Sequence, residues 1–257
     1  MKYKKYTKDD VTQVRELFTE GLNRCQISRQ TNIPLSTLRK WLNHDDFNLR
    51  DDRNAVKITD IINDKIRREA YSFCLGIYLC DGYIVQSKQH RVPNITFYND
   101  YQYPINTREW CDKIQIIFPE NKVNCKKKPS SNCVIVKVYN NCIWDLFPQH
   151  GKGKKHDRKL ILEDWQKEII KEFPEEFIKA CVQSDGCIYI QKVSNRQYHR
   201  HNFINKSEDI IDFFLWALSL VGIQKKKYYN PNRGLFVVQN FNKEQEEILN
   251  NIIKTKE

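Results

Sequence analysis

Phe73-Cys-Leu-Gly-Ile-Tyr-Leu-Cys-Asp-Gly-Tyr-Ile84 is the stretch that decides the architecture of this chain, because the chain contains it twice. Phe177-Ile-Lys-Ala-Cys-Val-Gln-Ser-Asp-Gly-Cys-Ile188 repeats the pattern 104 residues later, with the Asp-Gly in the same register. Each copy has a small residue, Gly76 or Ala180, five positions before its Asp. Small residues on apolar helices allow close approach, so the pattern predicts two tightly packed helices that bring their two carboxylates together.

The two carboxylates, Asp81 and Asp185, indicate a metal site. Carboxylates forced together repel unless a cation lies between them. Hydrolysis of a phosphodiester needs neutralised charge, an activated water and a stabilised leaving oxygen, and Mg²⁺ held by a few carboxylates supplies all three. A lone Asp-Gly more often marks a turn. That alternative remains open for either copy alone, whereas the matched repeat favours the metal.

Composition favours a nucleic-acid partner. The chain has 257 residues, 40% of them apolar, and a formal net charge of +11. Clustered Lys and Arg bind polyanions chiefly by releasing counterions from phosphates. The sequence contains neither an apolar run of eighteen residues nor an N-terminal hydrophobic segment, so we expect a protein that neither spans a membrane nor is secreted. We expect it inside the cell, in the cytoplasm or at the nucleoid.

The nine cysteines include no Cys-x-x-Cys pair. This pattern favours reduced thiols in a reducing compartment over a structural zinc site.

Residues 1–45 have the pattern of a helix-turn-helix domain. A first helix follows Thr7, with Val11, Val14, Leu17 and Phe18 on one face, and two shorter helices flank a turn at residues 32–34. A three-helix module that binds protein remains an alternative. Residues 46–57 are rich in Asp, Asn and Arg and poor in large apolar residues, which predicts a linker.

The rest of the chain predicts an α+β fold made of two repeats. Helical and alternating patterns follow each motif in the same order, so residues 58–150 and residues 151–257 both read as αββαββα. The second repeat includes a strand predicted near residues 224–229. Recurrence of the whole order supports a duplicated domain better than either motif does.

The two motifs resemble those of the LAGLIDADG homing endonucleases, and the resemblance covers residues 58–257. It implies a pseudo-two-fold saddle of two antiparallel sheets around the paired helices, with Asp81 and Asp185 jointly binding Mg²⁺ and acting in catalysis. The residues implied at the helix interface are Gly76, Ala180, Gly82 and Gly186. The second copy departs from the family pattern at Ala180, where glycine is preferred, and at the polar Gln183 and Ser184.

The same resemblance implies a site-specific endonuclease that cuts double-stranded DNA in a Mg²⁺-dependent reaction. A single chain that contains both halves of the pseudo-dimer is expected to act as a monomer. Two alternatives use the same core: a transcription regulator that binds DNA without cutting it, and an intron maturase that binds RNA.

Basic segments predict the DNA-binding surface. Residues 122–159 contain ten Lys or Arg, and a glycine-bearing connector at residues 147–159 lacks the spacing of a phosphate-binding P-loop. We interpret this connector as a contact to the DNA backbone, with a merely solvated loop as the alternative. The predicted DNA-contacting residues are Ser36, Thr37, Arg39, Lys40, Lys126, Lys128, Lys152, Lys154, Lys155, Lys192, Arg200 and Lys226.

Further polar groups could position water beside the metal. The strand candidates are Lys128, Lys137, Gln191, Lys192 and Gln239. Each is also explained as an ordinary DNA-facing side chain, so the sequence does not choose among them.

Overall fold

A computed structural model describes residues 6–43, 55–86, 92–129, 131–193 and 196–253. The chain divides into two compact units, Met1–Arg53 and Asn54–Glu257. Residues 46–54, most of the predicted linker at residues 46–57, lie outside the described residues. No helix in the described ranges is both long and apolar enough to cross a membrane. All nine cysteines are free thiols.

The N-terminal unit contains three helices: α1 Lys8–Thr19, α2 Arg24–Thr31 and α3 Leu35–Leu42. Thr7 and Asp10 form a capping box that satisfies the first amides of α1. A left-handed residue, Asn32, ends α2 and starts the short turn into α3. Helices α2 and α3 are therefore separated by a short turn.

A small core holds the three helices together. Val14, Ile27 and Leu38 are completely buried in it, one from each helix. Phe18 was predicted on the same inward face, but that prediction is wrong because its side chain is 44% exposed. Phe18 falls at the edge of the apolar stripe of α1, where Leu17 packs on the core instead.

The first repeat has the predicted order of elements, with one extra helix, α4, before the motif helix. Its elements are α4 Ile58–Ile62, α5 Lys65–Asp81, β1 Gly82–Val85, β2 Asn94–Asp100, α6 Pro104–Ile117, β3 Asn124–Lys127, β4 Cys133–Tyr139 and α7 Ile143–Leu146. The strands form an antiparallel sheet in the order β1-β2-β4-β3.

A connector containing the short 3₁₀ helix Lys155–Asp157 leads to the second repeat, which again begins with an extra helix. Its elements are α8 Asp164–Glu172, α9 Pro174–Asp185, β5 Gly186–Val193, β6 Arg196–Asn205, α10 Glu208–Leu220, β7 Tyr228–Asn230, β8 Leu235–Val238 and α11 Lys243–Ile253. The second sheet is antiparallel in the order β5-β6-β8-β7, which matches the first sheet. The predicted αββαββα repeat is confirmed in both halves.

The strand predicted near residues 224–229 is much shorter in the structure. Only Tyr228–Asn230 pairs with β8, in the register Tyr228↔Val237 to Asn230↔Leu235. Lys225 and Lys227 precede this strand. The Lys225 ammonium donates to the Asn240 carbonyl oxygen, and the Lys227 ammonium pairs with two carboxylates of helix α10. Both lysines therefore tie this segment to its neighbours.

Helices α5 and α9 pack against each other at the centre of the larger unit. Every residue from 70 to 79 is buried, so α5 has no solvent-facing side along this stretch. A Cβ added at Gly76 would lie 2.7 Å from the Ala180 Cβ and 3.0 Å from the Phe177 carbonyl oxygen. The two backbones can approach this closely only because the residues at the crossing are small. One apolar core then runs through both repeats.

Polar contacts fasten the two repeats around this crossing. Arg68 of α5 makes two parallel bonds to the Glu172 carboxylate of α8, at 2.7 and 3.0 Å. The indole Nε1 of Trp110 in α6 donates to Oε1 of Gln183 in α9 at 2.9 Å. The Gln183 amide in turn donates to Glu109 at 2.8 Å. The relative position of the two motif helices is thus specified by directional bonds as well as by apolar packing.

The helix crossing yields a stability prediction. We expect Gly76→Ala to lower the free energy of unfolding by about 1–3 kcal/mol, because the new methyl group overlaps Ala180. Urea denaturation monitored by circular dichroism measures the change. The double variant Gly76→Ala/Ala180→Gly moves the methyl group across the interface and should recover part of the loss. Equal stability of the single variant and the wild type would contradict the close crossing.

Candidate active site

Asp81 and Asp185 are the last residues of α5 and α9. The glycine after each starts a strand in extended conformation, with φ, ψ of −87°, 154° at Gly82 and −84°, 154° at Gly186. A Cβ at Gly186 would lie 2.4 Å from the Val182 carbonyl oxygen, so the close approach requires glycine. Both carboxylates are consequently set where a motif helix meets the first strand of its sheet, and both are half-buried.

The Asp185 carboxylate lies in a partly desolvated setting. Burial raises its pKa, while the amide of Asn205 and the nearby ammonium of Lys155 act in the opposite direction. Asn205 Nδ2 donates to Asp185 Oδ2 at 2.6 Å, and Asn205 Oδ1 accepts the Ser207 amide at 2.7 Å. Asn205, at the end of β6, therefore orients the Asp185 carboxylate. The backbone amide of Ser207, just before α10, in turn orients Asn205.

A thiol pair lies beside the carboxylates. Cys80 of α5 lies near Cys181 of α9 and near Asp185. Burial raises the pKa of Cys80 well above its ordinary value, so this side chain remains a neutral thiol. A neutral thiol beside the Asp185 carboxylate adds no negative charge to the site.

Two clefts open at the ends of the motif helices. The first, of about 590 Å³, is lined by Asp185, Asn205, Lys155 and Arg158 among others, and we call it the Asp185 cleft. The second, of about 420 Å³, is lined by Asp81, Asn99, Asp100 and Ser184 among others, and we call it the Asp81 cleft. Each cleft is lined by residues from the ends of both motif helices and by strand residues, and each contains one of the two predicted catalytic residues.

The residues at these clefts suit a hard cation. Carboxylate and amide oxygens, which Mg²⁺ prefers, line both recesses. Ser184 Oγ, which lines the Asp81 cleft, is buried without a hydrogen-bond partner and so is available to a ligand. Within the described ranges, no three His, Cys, Asp or Glu side chains cluster closely enough to hold a metal by themselves. A cation here would complete its coordination with water or phosphate oxygens.

The basic connector differs from the sequence-based expectation at Lys155. Lys152 and Lys154 are exposed, as a backbone contact requires. Lys155, in contrast, turns inward and donates to the Tyr78 carbonyl oxygen, with the Cys80 carbonyl oxygen 3.5 Å away. Burial lowers the pKa of Lys155 to about 8, although Cys80, Asp185 and Asp81 act to raise it.

The other predicted DNA-contacting residues of the larger unit lie on the sheets and loops. Lys126 of β3 and Lys137 of β4 lie on one face of the first sheet, as the register Lys126↔Ile135 and Asn124↔Lys137 requires. Arg200 is half-buried and bonds to the Gln191 side chain and to the Phe241 carbonyl oxygen, at 2.9 and 3.0 Å. The remaining residues, all exposed, are Lys128, Lys192 and Lys226.

The five strand candidates for positioning water are placed away from the clefts. None of Lys128, Lys137, Gln191, Lys192 and Gln239 is among the residues that line either recess in the described part of the chain. The side chains found there are instead Asn205 and Lys155. Asn205 is recognised only from its distance to Asp185 across the hairpin of β5 and β6, and Lys155 is recognised only from the fold of the connector.

In the N-terminal unit, the predicted contact residues lie on helix α3. Ser36, Arg39 and Lys40 are exposed and Thr37 is half-buried, while Leu38 and Trp41 pack inward. Apart from the exposed Leu35 at its start, the outward face of α3 is therefore polar and basic.

Comparison with known proteins identifies the fold. No protein-family model and no curated protein matches the sequence. Among solved structures, mesophilic variants of the homing endonuclease I-DmoI match with a TM-score of 0.52 and 13% identity, over 75% of this chain and 98% of theirs. I-DmoI in complex with DNA and Mn matches equally well, over 74% of this chain and 99% of its own.

The larger unit thus has an endonuclease fold built from two repeats. It is the LAGLIDADG homing endonuclease fold, as the sequence motifs led us to expect, and I-DmoI is a solved example with this architecture.

The Asp185 environment yields a prediction about Asn205. We expect Asn205→Ala to raise the pKa of Asp185 further, because the variant loses a donor that favours the charged carboxylate. Carboxyl-carbon NMR of the labelled protein measures the titration.

Asn99→Ala provides the matched control for Asn205→Ala. Asn99 is the counterpart on β2, and its amide donates to Thr107 instead of a carboxylate. It should leave the Asp185 titration unchanged. An Asp185 pKa that falls in Asn205→Ala would contradict the assigned hydrogen bond.

Proposed function

We propose that this protein is a site-specific endonuclease that cuts double-stranded DNA and depends on Mg²⁺. One observation carries the proposal: the paired motif helices end in two carboxylates, and each carboxylate lines a polar cleft that strands of both sheets also line. The fold supports it, since I-DmoI structures with this architecture include complexes with DNA and Mn and with target DNA in the presence of Mg.

Asp81 and Asp185 would hold the metal, whose role is to neutralise charge on the scissile phosphate and activate water. The protein's own groups hold these carboxylates in place. Asn205 orients Asp185, and Gly82 and Gly186 let each strand leave its helix without a Cβ clash against the last turn of that helix. The half-buried setting limits water access and so strengthens electrostatic interactions with a bound phosphate.

DNA binding is supported by charge and by the placement of the basic residues. A net charge of +11 favours association with a polyanion. Lys126 and Lys137 on one sheet face, and the exposed Lys152 and Lys154 on the connector, offer ammonium groups to phosphates. Because both halves of the pseudo-dimer lie in one chain, we propose that a monomer binds one duplex site.

The N-terminal unit is proposed as a second DNA reader. Helix α3 exposes Ser36, Arg39 and Lys40 while its apolar side packs on α1 and α2, as a recognition helix in a major groove would.

The first functional prediction concerns the carboxylates. Asp81→Asn and Asp185→Asn should each abolish cleavage of plasmid DNA in Mg²⁺ while duplex binding persists, because the amide keeps the volume but loses the charge that holds the cation. Cleavage of a randomised plasmid library measures the loss, and Asp164→Asn, on the exposed start of α8, is the matched control. Full cleavage by both variants would refute the metal assignment.

The second functional prediction separates affinity from sequence choice. Binding should weaken with salt at a log–log slope of about −0.9 for each phosphate neutralised, and Lys152→Ala/Lys154→Ala should flatten that slope without changing the preferred sequence. Arg39→Ala should instead change which sequences are preferred. Titrations on matched and mismatched duplexes distinguish the two effects. A wild-type slope in the lysine variant would favour the solvated-loop alternative for the connector.

A further inference from the structure

The helices of the two repeats can be compared position by position. An offset of 104 residues relates the two motifs, and the same offset relates Trp110 of α6 to Phe214 of α10. The Trp110 ring packs on Phe97, with ring centroids 6.4 Å apart, and the Phe214 ring packs on Phe203, with centroids 4.2 Å apart. Both of these partners pair with the glycine of their own motif. Residues 104 apart in these helices therefore occupy equivalent positions.

Four polar side chains join α6 of the first repeat to α9 of the second. The Glu109 carboxylate pairs with the Lys179 ammonium and accepts a bond of 2.8 Å from the Gln183 amide. The Trp110 indole donates to the oxygen of the same amide at 2.9 Å. Within the described part of the chain, every polar bond of these four side chains runs between members of the set, which we call the polar bridge.

The corresponding positions of the other two helices are apolar. On α5, the positions of the two α9 members of the polar bridge hold Leu75 and Leu79. On α10, the positions of the two α6 members hold Phe213 and Phe214. Three of these side chains are buried in the apolar core, and Phe213 packs against it. Equivalent surfaces of the two repeats are therefore polar in one case and apolar in the other.

A pair of charges at the same offset shows a similar complementarity. Arg68 and Glu172 are 104 residues apart and bond each other at 2.7 and 3.0 Å. Gly76 and Ala180, also 104 apart, face each other at the helix crossing. Across a true two-fold axis, the residues that face each other in this way are identical. Two first repeats would therefore bring two arginines together, and two second repeats would bring two glutamates together.

We propose that the interface between the repeats is selective: the α9 side of the polar bridge accepts a first repeat and excludes another second repeat, and the α6 side does the reverse. In a symmetric pair of second repeats, Lys179 and Gln183 would lie beside Phe213 and lose their partners. In a symmetric pair of first repeats, Glu109 would lie beside Leu79 and lose both of its partners. The inference goes beyond the proposed function and does not depend on it.

The physical basis of this selectivity is the cost of the wrong pair. Trp110 and Gln183 are 0% and 3% exposed, so water cannot replace a partner that either of them loses. A desolvated polar group or charge without a partner costs more free energy than an apolar neighbour returns. A difference in affinity between two partners can come from such a penalty as well as from better contacts to the right partner.

The test reproduces each wrong pair inside the full chain. Glu109→Phe/Trp110→Phe, the α6 block, gives α6 the side chains of α10 and leaves the α9 side of the polar bridge unpaired. Lys179→Leu/Gln183→Leu, the α9 block, gives α9 the side chains of α5 and leaves the α6 side unpaired. A third variant combines the two blocks. Urea denaturation monitored by circular dichroism gives the midpoint of unfolding for each chain.

We expect each block alone to lower the urea midpoint and the combined variant to recover most of the loss, because apolar side chains then face apolar side chains. Glu168→Leu/Lys171→Leu, which removes an exposed ion pair within α8, is the matched control. Its effect should simply add to that of the α6 block. If a block variant does not fold, Trp110→Phe, Gln183→Leu and their combination give the same comparison for one hydrogen bond.

The charge pair provides an independent measurement. Arg68→Glu and Glu172→Arg each place like charges at this contact, so each should lower the urea midpoint. The exchanged variant Arg68→Glu/Glu172→Arg restores opposite charges and should recover most of the loss.

The outcomes decide the inference without reference to DNA cleavage. A combined variant more stable than either block alone supports a selective interface. Block effects that simply add, or block variants with the midpoint of the wild type, overturn it and leave the proposed nuclease function standing. Loss of cleavage in a chain of unchanged stability would concern the proposed function alone.

Discussion

The close contact of α5 with α9 is the constraint on which the rest of the larger unit depends. Gly76 and Ala180 leave so little material at the crossing that one added methyl group would overlap its neighbour. Because each of these helices ends at the Asp of its Asp-Gly, this contact also constrains where both carboxylates lie. The contact between α5 and α9 therefore determines both the packing of the core and the position of the candidate site.

Polar residues of the second motif stabilise the contact between α5 and α9. Gln183 departs from an apolar pattern, yet it is 3% exposed and has partners at both ends of its amide, the Trp110 indole and the Glu109 carboxylate. Lys179 of α9 also pairs with Glu109. A buried polar group that is fully bonded costs little and fixes register, because any sliding of the helices would leave it unpaired.

The repeat accounts for the same strand order in the two halves. Sequence differences between the halves account for the different surroundings of the two motif carboxylates. The sheets have the same strand order, and Asn99 and Asn205 occupy equivalent positions, but only Asn205 bonds a motif carboxylate. Asn99 instead bonds Thr107 at the start of α6. Two recesses of common origin thus hold their carboxylates in different surroundings.

The sequence by itself determined the repeat, the αββαββα order, the two carboxylates and the small residues between their helices, because these depend on local periodicity and on a motif that occurs twice. Only the tertiary structure decided what surrounds the carboxylates. Lys155 reaches a carbonyl 77 residues away, and Asn205 reaches Asp185 across a hairpin. No local pattern distinguishes Lys155 from its exposed neighbour Lys154, since the direction of a side chain on a short 3₁₀ turn depends on how the connector packs against α5.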